Sequence, residues 1–233
     1  MRAGVKEPRP RGRRPTEPQM VVAGVDDAGR GPVIGPLAVA GVAVDRNVLP
    51  SLSDLGVKDS KKLSPGIREA LYPKIVELAE AVGVVLVPPA EIDRVIGGSK
   101  YHRLNYLEAV KAASVLESLR PDVAYVDASD VKPERFAQQI QEKLSFPLNL
   151  VCEHKADARY PVVSAASIVA KVSRDRAVAR LRRKYGDFGS GYPSDPRTGM
   201  FLRNWMKRRG SLPPIVRKKW KTVKRLSQTR LGD

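Results

Sequence analysis

Residues 26–31 read Asp-Asp-Ala-Gly-Arg-Gly, two adjacent carboxylates followed by an arginine between glycines. Carboxylate oxygens suit a hard cation, and glycines without a Cβ let the backbone approach a ligand. Acid first, then glycine and arginine, is the order of a metal and phosphate site. Two more acids belong with them, Asp127 after an apolar Val-Ala-Tyr-Val run and Asp157 shortly after a second such run. Taken singly each has a plainer reading: Asp26-Asp27 as a solvated turn, Asp127 as a strand-end turn acid, Asp157 as a charge at a helix start. Taken together, acids leaving adjacent strands at one edge of a sheet would repel one another unless a cation neutralised them. With oxygen ligands and no suitably spaced Cys or His, that cation is Mg²⁺ or Mn²⁺ rather than zinc, and a pair of such ions can run an in-line phosphoryl displacement. One geometric condition applies. Neighbouring strand residues point to opposite faces, so Asp26 and Asp27 can share a site only if the strand ends or kinks between them, and Gly29 and Gly31 predict such a kink.

Those acids need a scaffold, and the apolar patterning predicts one. Residues 21–26 form a first strand and 37–44 a β-branched second, separated by the Gly31-Pro32 and Gly35-Pro36 turns. A polar loop over 55–63 leads to Ser64-Pro65, an N-cap and first helical position, and the helix there runs to about Ala81 with a break or kink at Pro73. Strands follow at 84–87, 123–127 and 148–152, with helices over 101–119, 133–144 and from Pro161 to about Tyr185. Short helices are predicted around 200–209 and 215–226. Strands alternating with helices imply an α/β domain with a mixed sheet flanked by helices, whose ligand site lies near strand ends.

The formal charge of +17 is concentrated at the ends: residues 1–20 contribute +4 and residues 197–233 contribute +11, leaving +2 for the middle. Three parts are therefore expected: a flexible basic arm over 1–20, a catalytic domain over 21–196, and a basic helical C-terminal extension over 197–233. A basic segment draws a polyanion through counterion release, so nucleic acid is the expected partner, ahead of an anionic membrane surface. Cys152 is the only cysteine, which rules out an intrachain disulfide and points to a reducing compartment. No apolar run approaches the roughly 20 residues a spanning helix needs, and no signal-peptide pattern follows the arm. A cytoplasmic, monomeric protein is expected.

At this level of detail the chain closely resembles the type 2 ribonuclease H family, ribonuclease HII. The resemblance is carried by Asp26-Asp27-Ala28-Gly29-Arg30-Gly31-Pro32, by Lys58-Asp59-Ser60-Lys61-Lys62-Leu63, by Tyr125-Val126-Asp127-Ala128, by the run from His154 to Ile168, and by Gly189-Ser190-Gly191-Tyr192-Pro193. Five motifs in the family's order are specific where any one would not be. The run around Asp157 is most similar to the archaeal and eukaryotic branch. The resemblance implies a ribonuclease H-like fold and metal-dependent hydrolysis of RNA in RNA/DNA hybrids and of single ribonucleotides embedded in duplex DNA. Cleavage would fall 5′ of the ribonucleotide and leave 3′-hydroxyl and 5′-phosphate ends. Asp26, Asp27, Asp127 and Asp157 would be the metal-binding catalytic acids. Gly29, Arg30 and Gly31 would read the ribose 2′-hydroxyl, largely through the backbone. Tyr192 would pack on the sugar, Lys61 would lie near the scissile phosphate, and Asn105 would contact the DNA-strand phosphate. The 2′-hydroxyl is what distinguishes RNA from DNA, and a glycine-flanked loop can approach it.

One position departs from the family. Where glutamate is usual this chain has Asp27, shorter by one methylene or about 1.5 Å, so altered metal preference with retained activity is expected. A non-catalytic nucleic-acid-binding protein on the same fold, or another ribonuclease H-like nuclease, is the competing reading. In the C-terminal extension Trp205 and Trp220 are interleaved with Lys207, Arg208, Arg209, Arg217, Lys218, Lys219 and Lys221. The tryptophans read as packing anchors and the cations as duplex affinity. Gln228 and Leu231 are similar to the start of a sliding-clamp-binding peptide, but the aromatic pair is missing, so clamp binding is not expected.

Overall fold

The structure is a computed structural model and describes residues 20–57, 63–97 and 103–228. Strands β1 (Val21–Ala28) and β2 (Leu37–Asp45) come first. A short 3₁₀ turn and α1 (Leu49–Asp54), α2 (Pro65–Leu78), β3 (Ala81–Val87), α3 (Pro89–Gly97) and α4 (Arg103–Leu119) follow. Then come β4 (Val123–Asp127), α5 (Pro133–Gln141), β5 (Asn149–Glu153), the single turn α6 (Ala156–Arg159), α7 (Pro161–Tyr185), α8 (Pro196–Arg209) and α9 (Lys221–Gln228). Helix α2 starts where the sequence predicts, with the Ser64 hydroxyl accepting from the Ile67 N–H. It does not break at Pro73, which lies exposed inside the helix. On the solvent face water can take the carbonyl that proline leaves unbonded. Ile215 and Val216, expected to be helical, lie instead in a turn and in an isolated bridge, and α9 begins only at Lys221.

Two compact units share the chain. One takes in β1, Ala38–Leu86 and Asn105–Ser173; the other takes in Gly29–Leu37, Val87–Leu104 and the chain from Arg174 onward.

The first unit is built on a five-stranded sheet in the order β3-β2-β1-β4-β5, antiparallel between β1 and β2 and parallel across β1, β4 and β5. Register assigns the faces, because paired residues share a side and chain neighbours alternate. Gly24 pairs with Val42, and a Cβ on Gly24 would sit 2.3 Å from the Val162 carbonyl carbon, so the start of α7 lies directly on that face. Gly41 pairs with Val25, and a Cβ there would sit 2.5 Å from Val115 Cγ1, so α4 lies on the opposite face. The α7 face holds the larger core, with Val22, Val42, Val44, Ile75, Val163 and Ile168 all buried.

The second unit has its own core. Val33, Ile34, Phe188, Leu202, Val216 and Val223 are buried together, and Ile34 bridges Val216 as a one-residue antiparallel pair. The basic C-terminal segment is thus stitched to residues 29–37 through apolar contacts.

Candidate active site

Asp26 is the pivot of the acids. It lies on the α7 face of β1, buried, with its Oδ1 accepting the Asp27 N–H at 2.7 Å. Burial pushes its carboxyl up to about 8, with the charges of Asp27 and Asp127 adding to the effect. A hydrogen bond with the Ser167 hydroxyl and the charge of Lys171 work the other way. Ser167 and Lys171 are one turn apart on α7, and the Lys171 ammonium donates to the Ser167 hydroxyl. Neither residue stands out in the sequence. The signal was their i, i+4 spacing in a helix otherwise rich in small apolar residues.

The kink expected between Asp26 and Asp27 does not occur. Pairing with β2 runs unbroken through Asp26↔Ala40, Asp27↔Val39 and Ala28↔Ala38, so the two acids leave opposite faces of the strand. What ends early is the ladder to β4, at Val25↔Val126, which leaves the other side of β1 without a strand partner from Asp26 onward. The Ser129 hydroxyl, just past β4, donates to Asp27 Oδ2.

Asp127 closes β4 with the α7-side parity of Asp26. Its Oδ1 accepts the Ala156 N–H at 2.9 Å, which docks the turn α6 and brings the buried Asp157 in beside it. The grouping is one of charge more than of finished ligand geometry: among the described residues no three His, Cys, Asp or Glu side chains are disposed to hold a metal ion as they stand.

Asn105 is held by a carboxylate. Its amide nitrogen donates to Asp130 Oδ2 at 3.2 Å, and Asp130 also accepts from the Arg135 guanidinium and the Lys132 N–H. Burial opposes the charge on Asp130, but these donors outweigh it and hold the carboxyl below its ordinary value. Lys61 lies outside the described residues, as does Leu231.

In the second unit Gly29, Gly31 and Tyr192 come together around Arg174. A Cβ on Gly31 would meet Tyr192 Cε1 at 3.3 Å, and the Arg174 guanidinium lies 5.6 Å from the Tyr192 ring centre. Gly29 has φ +94°, and a Cβ there would stand 2.9 Å from the Pro36 carbonyl oxygen and 3.0 Å from Arg174 Nε. Tyr192 is 40% exposed. Arg217, which the sequence grouped with the duplex-binding cations, is instead fully buried. Lys218 and Lys219 are exposed, and their N–H groups cap the Asp93 carboxylate at 2.7 and 2.9 Å.

This mixed sheet with helices on both faces is the ribonuclease H-like fold. A ribonuclease HIII structure solved with Mn²⁺ shares it at a TM-score of 0.74 and 22% identity, over 91% of this chain and 70% of that one, a likeness of fold alone. The family model for ribonuclease HII matches residues 23–223, and the chain belongs to that family. Ribonuclease HII of Pyrococcus horikoshii is 50% identical over 211 residues, 90% of this chain and 94% of that protein. The enzyme of Thermococcus kodakarensis is 51% identical, with 90% of each chain covered. The crystal structure of ribonuclease H2 from Pyrococcus horikoshii superposes with a TM-score of 0.85 at 49% identity, covering 92% of this chain and all of that one. Ribonuclease HII of Archaeoglobus fulgidus, solved in complex with PCNA, matches with a TM-score of 0.78 at 46% identity over 88% of this chain and 96% of that one. That complex speaks against setting clamp binding aside because an aromatic pair is missing.

Proposed function

We propose that this chain is a metal-dependent endoribonuclease that hydrolyses the RNA strand of RNA/DNA hybrids and single ribonucleotides embedded in duplex DNA. Cleavage falls 5′ of the ribonucleotide and gives 3′-hydroxyl and 5′-phosphate ends. Membership of the ribonuclease HII family supports the reaction class. The observation that carries the metal requirement is the buried Asp26 on the face of β1 that Asp127 shares, with Asp27 and Asp127 near enough for their charges to add to burial in pushing its carboxyl up to about 8. A divalent cation among these acids would stabilise the carboxylate and displace its proton to solvent, and the oxygen-only neighbours fit Mg²⁺ or Mn²⁺.

In this reading Asp26, Asp127 and Asp157 would hold the cation from the α7 side, and Asp27, which leaves the other face but whose charge still acts on Asp26, would reach it round the edge of β1 that has no β4 partner beyond Val25. When bound, it lowers the pKa of the attacking water and neutralises the leaving oxygen. The chain does the rest. The Ala156 N–H fixes one oxygen of Asp127, and Ser129 fixes one oxygen of Asp27. Ser167, itself tethered by Lys171, orients Asp26. Gly29, Arg30 and Gly31 read the ribose, Tyr192 packs against the sugar, and Lys61 is the lysine assigned to the scissile phosphate. Asn105 contacts the DNA-strand phosphate with the second N–H of its amide, the first being donated to Asp130.

A duplex DNA carrying one ribonucleotide tests the reading, with Mg²⁺, Mn²⁺ or EDTA and an all-DNA duplex as control. The expected result is a single cut 5′ of the ribonucleotide with either ion, and none in EDTA or on the control. Binding without any product under either metal would favour the non-catalytic alternative. Cleavage of the all-DNA duplex would favour another nuclease of the superfamily.

A further inference from the structure

Arg217 is the largest fully buried side chain in the described structure, and its guanidinium is directed at the loop that begins at Gly29. Nη2 donates to the Gly29 carbonyl at 2.6 Å, Nη1 to the Arg30 carbonyl at 3.0 Å and Nε to the Gly35 carbonyl at 3.1 Å. Its own N–H donates to the Val33 carbonyl at 2.9 Å, and its guanidinium lies 5.1 Å from the Trp220 ring centre. A buried charge is costly to keep, so a fork that meets three carbonyls of one short loop is an arrangement with a specific task.

The task follows from peptide geometry. The described chain has no cis peptide bond, and in a trans peptide the C=O and the following N–H point in opposite directions. The Gly29 carbonyl shares its peptide with the Arg30 N–H, and the Arg30 carbonyl shares its peptide with the Gly31 N–H. With both carbonyls drawn toward the guanidinium, both N–H groups are turned away from it. Gly31, whose N–H is the second of these, is the exposed residue of the loop. A carbonyl bonded to a cation also polarises its own amide, which strengthens the N–H as a donor.

We propose that Arg217 is the positioning residue of the ribose-reading loop: it aims and strengthens the backbone donors that meet the 2′-hydroxyl, and thereby sets the preference for a ribonucleotide over a deoxyribonucleotide. The proposal rests on the function proposed above and adds to it the source of ribose discrimination. Arg217 touches no reacting atom. Lysine in its place could serve at most part of the fork, and methionine none of it.

The test uses the full chain with Arg217→Met and Arg217→Lys. Affinity for a duplex with one ribonucleotide and for the matching all-DNA duplex is measured in EDTA, kcat and KM on the first duplex in Mg²⁺, and the thermal midpoint for each variant. The expected result for Arg217→Met is a loss of the ribonucleotide preference by about tenfold, the size of one well-aimed hydrogen bond, with all-DNA affinity held within about twofold. Arg217→Lys is expected to recover part of that preference and to give a readable value if the methionine variant does not fold. An unchanged preference in a folded variant, or an equal loss of affinity for both duplexes, overturns the proposal. A wild-type chain that neither prefers nor cuts the ribonucleotide duplex refutes the proposed function itself, whatever the variants do.

Discussion

The Ser129 hydroxyl donates to Asp27 Oδ2 across 2.8 Å, tying the loop after β4 to the second acid of β1. A glutamate at 27 reaches about 1.5 Å farther and would not stop at this hydroxyl. Asp27→Glu is therefore expected to change the ratio of Mg²⁺-supported to Mn²⁺-supported cleavage, and Ser129→Ala to move the same ratio by freeing the aspartate. Initial rates across titrations of each ion measure it. A ratio unmoved by both substitutions would remove Asp27 from the metal site.

Asp26 predicts an unusual pH dependence for the metal-free protein. Its carboxyl titrates near 3.8 in the unfolded chain and near 8 when folded. Between those values the folded state holds the extra proton, so stability is greatest below the lower value and falls as pH rises through the upper one. Thermal melts in EDTA should show a midpoint declining from pH 5 to pH 9. Added Mg²⁺ or Mn²⁺ should raise the midpoint more at pH 8 than at pH 5. Asp26→Asn should flatten the decline and abolish cleavage; a decline that persists in this variant would assign it to other groups.

Gly24 is set by space. A Cβ there would lie 2.3 to 2.4 Å from the Val162 carbonyl and the Val163 nitrogen, all backbone atoms that no side-chain rotation can clear. Gly24→Ala should cost about 3 kcal/mol or more, the upper end for overpacking, and should displace the start of α7 from the sheet. Urea unfolding measures the loss. A cost below about 1 kcal/mol would mean that α7 can slide on β1 freely.

The exposed cations Lys207, Arg208 and Arg209 end α8. Truncation after residue 196 cannot isolate their role, because it would also remove Leu202, Val216 and Val223 from the second core. Replacing the three with glutamine is the cleaner change. The slope of log affinity against log salt should shrink by about 0.9 for each phosphate no longer neutralised, while the thermal midpoint stays put. An unchanged slope would return these residues to the role of solubilising charge.

The elements that carry the acids were legible because their signals are local. The β-branched run before Asp26, the Val-Ala-Tyr-Val before Asp127 and the Ser64-Pro65 cap each announce themselves within a few residues. The family resemblance held for the same reason, its motifs being contiguous. The break expected at Pro73 does not occur, the proline lying on the exposed side of α2, where water can take the carbonyl it leaves unbonded. Val216 misled because pairing with Ile34 outweighed local propensity. The side-chain partners of Asn105, Ser129 and Arg217 could not be read, since they are far away in sequence. Arg217 shows the limit most sharply: among seven cations in one stretch, only the fold distinguishes the one that is buried from those left to solvent.

Arg217 and the Gly29 carbonyl it holds are 188 positions apart along the chain. During synthesis all four acids have left the ribosome well before that arginine is made. A nascent chain, or one cut short after α7, contains all four acids without the fork that fixes the loop. Order of manufacture therefore places recognition last, and a prematurely terminated product would be blind to the sugar it is built to find.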